Sequence, residues 1–68
     1  MKYTAEELAE ARRQIDSTLH KLQEVVKTLE AKKEPARYRS QLTLARRRIA
    51  AFTIARDLIQ RELTQNEN

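Results

Sequence analysis

One proline divides this chain and constrains its fold more than any other residue. Pro35 is the only proline, and the 68 residues contain no glycine. Proline cannot continue an α-helix through its own amide and pushes the preceding residue out of the α region, yet it suits the first turn of a new helix. Both flanking segments are rich in helix-forming residues. The sequence therefore predicts two helices joined by a turn near Pro35, as in an αα-hairpin.

The missing glycine also excludes other fold classes. An all-β domain needs several tight turns, whose positive-φ positions are usually supplied by Gly or Asn. The only asparagines here are Asn66 and Asn68. A doubly wound α/β domain and a glycine-rich phosphate loop are excluded on the same ground. With 40% apolar and 35% charged residues, the composition is typical of long helices and coiled coils, and the predicted class is all-α.

The first helix has a clear start and one apolar side. Thr4 is a good N-cap with Glu7 as its capping-box partner, and Tyr3 and Leu8 occupy the hydrophobic-staple positions. A heptad seam follows, with steps of four and three: Leu8, Ile15, Leu19, Leu22, Val26 and Leu29. Three further residues, Ala11, Thr18 and Val25, widen this seam, and we expect them to belong to the buried side.

The second helix carries two apolar stripes. The first is again a seam with steps of four and three: Tyr38, Leu42, Ala45, Ile49, Phe52, Ile59 and Leu63. The second is rotated from it by more than a quarter turn: Leu44, Ala51, Ile54, Ala55 and Leu58. Together they cover over half of the helix circumference, which is more than one neighbouring helix can bury.

A second copy of the chain is the simplest cover for the extra stripe. The predicted fold is therefore a two-helix antiparallel hairpin that dimerises into a four-helix bundle, with a tetramer as the alternative. The predicted oligomer interface consists of Leu44, Ala51, Phe52, Ile54, Ala55 and Leu58. The whole chain, 1–68, is one domain. We expect helix 1 over about 5–32, the turn over about 33–36, helix 2 over about 36–63 and a frayed tail over 64–68.

The net charge of +4 is concentrated around the turn. Residues 32–48 hold seven basic groups and one acidic group, whereas the segments before and after them each carry one more acidic than basic group. The predicted basic patch consists of Lys32, Lys33, Arg37, Arg39, Arg46, Arg47 and Arg48. Such a cluster can bind phosphate backbones. It can also simply complement the dipole of helix 1 and solvate the turn, and we favour this second interpretation.

Arg48 lies angularly between the two apolar stripes of helix 2. It could anchor a ligand carboxylate or phosphate. The preferred interpretation is an interface arginine that lays its stem on apolar surface and pairs with a carboxylate such as Glu24 or Asp16.

The sequence offers little for catalysis or metal binding. There is no cysteine, and the single histidine, His20, lies on the polar side of helix 1. Ser17 and Ser40 have no base in a plausible pocket. We therefore predict no enzymatic activity, no metal and no cofactor. No apolar run approaches the roughly 20 residues needed to span a bilayer, and no signal-peptide pattern follows Met1, so the expected location is the cytoplasm, with no membrane partner.

Several short motifs carry a resemblance. An EEL–AR–I–ST–K pattern in helix 1 is followed by an S-Q-x-T-L run and then by R-R-I-x-A-x-x-I-A-x-x-L-I. These motifs resemble a family of short helical-hairpin proteins of Gram-positive bacteria and their mobile elements, to which no activity is attached. The matching positions are Ser17, Thr18, Lys21, Ser40, Gln41, Thr43, Leu44, Arg47, Arg48, Ile49, Ala51, Ile54, Ala55, Leu58 and Ile59. The resemblance implies a small bacterial helical hairpin and covers most of the chain.

Three functions are compatible with these patterns. The first is a non-enzymatic homo-oligomeric interaction or structural module, with itself and possibly another protein as partner. The second, less favoured, is a nucleic-acid-binding regulator that uses residues 32–48. The third is a phosphorelay regulator, because sporulation phosphatases are also short hairpins with an S-Q-x-L-D run. The run from Ser40 to Leu44 lacks that acidic residue, which leaves the third function weakest.

Overall fold

The computed structural model describes residues 2–32 and 35–66 and shows an all-α hairpin, as predicted. Helix α1 spans Ala5–Glu30. A 3-10 turn at Pro35–Tyr38 leads into helix α2, which spans Arg39–Asn66. The helices pack side by side and run in opposite directions, forming a rod of 50 × 15 × 14 Å.

The predicted capping box opens α1. The backbone N–H of Glu7 donates to Thr4 Oγ1 at 3.0 Å, and the N–H of Thr4 donates to Glu7 Oε1 at 2.9 Å. Thr4 itself is extended, with φ −76° and ψ 161°. Two amide groups that an α-helix leaves unpaired at its N-terminus are thereby satisfied, so the start of α1 is fixed by local chemistry.

The helix ends differ from those expected. Helix α1 stops at Glu30 instead of 32, and the N–H of Lys32 turns back to the carbonyl of Leu29 at 3.2 Å. The expected start of helix 2 at 36 falls inside the 3-10 turn. Residues 33 and 34 of the predicted turn lie outside the described residues.

The C-terminal end of α2 is longer than expected. It continues to Asn66 instead of 63, so 64–66 are helical where we expected fraying; residues 67 and 68 lie outside the described residues. The extension is explained by burial of Leu63, which holds the last turns of α2 against α1. Thr64 Oγ1 donates to the carbonyl of Gln60 at 3.0 Å within the extension.

The core is a single layer between the two helices. The buried side chains all come from the predicted seams: Leu8, Leu19, Leu29, Leu42, Ala45 and Leu63. Other seam residues, including Ile15, Leu22, Ile49 and Ile59, are only half-buried. No described side chain is completely enclosed. Two helices alone therefore cover each seam only in part.

Neither helix, over the residues described, contains an apolar segment long enough to cross a lipid bilayer.

Candidate interaction surface

The seam divides the hairpin into two faces of different chemistry. On one side, which we call the polar face, side chains link the two helices across the seam. Arg12 Nη1 donates to Gln60 Oε1 at 2.5 Å, Arg46 Nη2 contacts Glu30 Oε2 at 2.5 Å, and Arg56 Nη1 lies 3.9 Å from Asp16 Oδ1. The charged groups of Arg46, Glu30, Arg56 and Asp16 remain in contact with water. This face therefore needs no further cover.

The other side, which we call the open face, carries two apolar grooves. The groove at the turn end is lined by Leu22, Val25, Leu29, Gln41, Leu44, Ala45 and Arg48. The groove at the opposite end is lined by Tyr3, Glu7, Leu8, Ala11 and Ile59. Ala11 and Val25 are two heptads apart and therefore lie on the same side of α1. Both grooves consequently open on one face.

Large apolar side chains are left exposed on the open face. The exposed fractions are 53% for Tyr3, 46% for Val25, 48% for Leu44 and 50% for Leu58. Between these residues lie small ones, chiefly Ala51 and Ala55. An extended apolar surface of this kind makes the open face the candidate interaction surface.

Heptad lines run along both helices of the open face. In α1 the line is Ala11, Thr18 and Val25; in α2 two adjacent lines are Leu44, Ala51 and Leu58, and Arg48, Ala55 and Glu62. Thr18 fits an apolar line because its hydroxyl donates to the carbonyl of Gln14 at 3.1 Å and so leaves its methyl group free to pack.

The predicted oligomer interface falls largely on this face. Leu44, Ala51 and Leu58 are exposed there, and Ala55 is half-buried beside them. Ile54 is the most exposed large apolar residue at 61%, but its helical position puts it on the outer flank of α2. Phe52 is half-buried and its helical position places it in the seam with α1.

The sequence interpretation missed two members of the surface, Tyr3 and Val25. It also assigned Thr18 and Val25 to the buried side, whereas both are exposed. The signal that could have found Thr18 and Val25 is the parallel spacing, because Ala11, Thr18 and Val25 repeat every seven residues, as Leu44, Ala51 and Leu58 do. Tyr3 does not lie on this spacing.

The predicted basic patch is not one surface. Its described members are exposed: Lys32, Arg37, Arg39, Arg46, Arg47 and Arg48. Lys33 lies outside the described residues. Successive residues of a helix point about 100° apart, so Arg46 reaches the polar face and contacts Glu30, whereas Arg48 lines the groove on the open face. This dispersal does not favour a nucleic-acid footprint over a solvated turn.

Arg48 does not meet either carboxylate expected for it. Asp16 faces Arg56 at 3.9 Å, and Glu24 lies 3.8 Å from Lys27. Within the described ranges no ion pair includes Arg48. The reason is the rotation of α2, which turns Arg48 toward the open face and away from Asp16 on the polar face. Arg48 instead lines the apolar groove that contains Leu44.

Over residues 2–32 and 35–66, no three His, Asp or Glu side chains lie close enough together to hold a metal ion. His20 is exposed on the outer side of α1.

No family model, curated protein or solved structure matches this chain. The resemblance to Gram-positive hairpin proteins therefore stays a prediction, and the open face is the feature from which function can be argued.

Proposed function

We propose that this chain is a non-enzymatic, self-associating helical module whose open face packs against that of a second copy to form a four-helix bundle. The observation that carries the proposal is the difference between the two faces. Large aliphatic groups stay half-exposed on one side of the seam, while charged groups link the helices on the other. Face-to-face packing would cover the first set and leave the second in water.

The thin core supports the same conclusion. A chain of this length buries a small share of its surface and is marginal on its own. Among the residues that the structure describes, the core is one layer with six buried side chains, and much of the seam is only half-covered. Each large aliphatic side chain that moves from water into an interface contributes roughly 1.5–3 kcal/mol. A second layer would therefore supply the burial that the hairpin lacks.

Adjacent alanines allow a matched test. Ala50 and Ala51 are both exposed in the hairpin, but Ala51 lies on the open face and Ala50 on the back of α2. Ala51→Glu and Ala50→Glu change helix propensity and net charge equally. We expect native protein and Ala50→Glu to sediment as dimers at micromolar concentration. Ala51→Glu should give monomers, because its carboxylate would be buried without a partner.

The decisive measurement is sedimentation equilibrium with circular dichroism on the same samples. A native chain that is monomeric and stably folded would contradict the proposal. A native tetramer would preserve self-association and replace the two-hairpin bundle with a larger assembly.

A further inference from the structure

Resting on the proposed self-association, we infer that the second copy docks end for end. The two-fold axis would cross the open face at Thr18 and Ala55, and each Arg48 would pair with the partner's Glu62. Three observations support this arrangement: the distribution of charge between the two ends of the rod, the spacing of open-face residues along α2, and the spacing of open-face residues along α1.

Charge favours opposite orientation of the two hairpins. Two open faces can be related by a two-fold axis along the helices, which puts both turns at one end, or by an axis across them, which puts the turns at opposite ends. The turn segment 32–48 holds seven basic groups and one acidic group, whereas 49–68 hold two basic and three acidic groups. The other end also carries Glu6 and Glu7 in the first turn of α1. Like charges repel and complementary ends attract, so the axis across the helices is favoured.

The open face of α2 contains one basic and one acidic residue, and neither has an ionic partner among the described residues. Arg48 lines the turn-end groove, and Glu62 is half-buried two heptads further on. Fourteen residues of helix separate them by about 21 Å, so they cannot pair within one chain. In an antiparallel copy centred on their midpoint, Ala55, each Arg48 stands opposite the partner's Glu62.

This register also matches side-chain sizes along α2. Ala55 meets its own copy at the axis, where a small residue lets the two helices approach closely. Reversal about Ala55 brings Ala51 level with the partner's residue 59, about 1.5 Å from the level of the partner's Leu58. Leu58 lies on the same heptad line as Ala51, so a small residue comes beside a large one. The two α2 helices would therefore interdigitate between two charge pairs.

Helix α1 points to the same axis independently. Its open-face line is Ala11, Thr18 and Val25, and its midpoint is Thr18. Reversing a copy about Thr18 sets Ala11 opposite the partner's Val25, again small against large.

Contacts across the polar face fix the relative level of the two midpoints. The contacts of residue 12 with 60, of 16 with 56 and of 30 with 46 place Thr18 level with 54, 54 and 58, on average within one residue of Ala55. One residue of helix is about 1.5 Å, so a single axis serves both helices.

A charge-reversal mixture tests the register. Arg48→Glu alone places two like-charged pairs in the dimer, and so does Glu62→Arg alone. We expect each variant to dimerise roughly tenfold or more weakly than native protein. Mixed in equal amounts, they should form heterodimers, because both charge pairs are then opposite in sign. Arg47→Glu is the control, since Arg47 is exposed and points about 100° away from Arg48.

Native mass spectrometry and sedimentation equilibrium measure which dimers form. Heterodimer formation from the mixture supports the register even if one of the variants is unfolded on its own. Preferred heterodimers with little effect of Arg47→Glu would support the register. A dimeric native chain whose single variants associate normally, or whose mixture stays unpaired, would overturn the register and leave self-association standing. A monomeric native chain would overturn both.

Discussion

The two faces of the hairpin are built by the same two helices but present different side chains to water. On the polar face, Arg12, Arg46 and Arg56 reach across the seam to polar partners and stay solvated. On the open face, Val25, Leu44 and Leu58 expose apolar surface around small residues. Over the residues described, this difference makes the open face the better candidate to bury another protein surface. A single self-complementary face leads to a closed assembly instead of an open-ended one.

Disulfide cross-linking through an introduced cysteine can locate the two-fold axis, and we expect it to give the largest effect of the experiments in this Discussion. The chain has no cysteine, so Ala55→Cys introduces one thiol. Because Ala55 would face its own copy at the axis, mild oxidation should convert most of the protein to a disulfide-linked dimer. Ala50→Cys, on the back of α2, should stay largely unlinked. Non-reducing electrophoresis distinguishes the two, and equal linking of both variants would place the contact elsewhere.

Two aliphatic truncations test where the open face ends on α2. Leu58 and Ile54 are similarly exposed in the hairpin, at 50% and 61%, but only Leu58 lies toward the proposed interface. Leu58→Ala should lose roughly 1.5–3 kcal/mol of dimer stability per chain, whereas Ile54→Ala, on the flank, should lose clearly less. Concentration-dependent sedimentation measures both. A larger loss for Ile54→Ala would mean that α2 is rotated relative to the arrangement proposed.

A substitution on the polar face should change stability and dimerisation least. Glu30→Gln removes the charge that Arg46 contacts at 2.5 Å while keeping the shape of the side chain. Because both groups are exposed, such a pair contributes about 0–1 kcal/mol. We expect a small shift in the urea midpoint and an unchanged dimer. Dissociation of the dimer by Glu30→Gln would show that the polar face, too, takes part in the assembly.

The hairpin itself could be read from local signals in the sequence. Pro35 located the break, Thr4 and Glu7 located the start of α1, and the heptads of Leu8 and Leu42 located the seam. These features depend on the backbone of one helix at a time, so neighbouring structure alters them little.

The interaction surface depended on more than local signals. Sequence shows where a residue sits around its own helix, but not how two packed helices are rotated against each other. The same spacing of Thr18 and Val25 therefore fitted a buried stripe and an exposed one equally well. The two carboxylates expected to pair with Arg48 were wrong for the same reason, since the direction of Arg48 relative to Asp16 depends on the rotation of α2. The end of α2 depended on burial of Leu63, which is a tertiary contact.

In the proposed dimer, the one-layer core would make folding depend on the protein concentration. If a large share of the burial comes from a second copy, mass action makes the folded fraction rise with concentration. Dilution would then loosen the helices as well as separate the chains, and the apparent melting temperature would climb with each increase in protein concentration. Synthesis rate would thereby act as a threshold: below a certain abundance the chain would be an open substrate for proteases, and above it a durable rod.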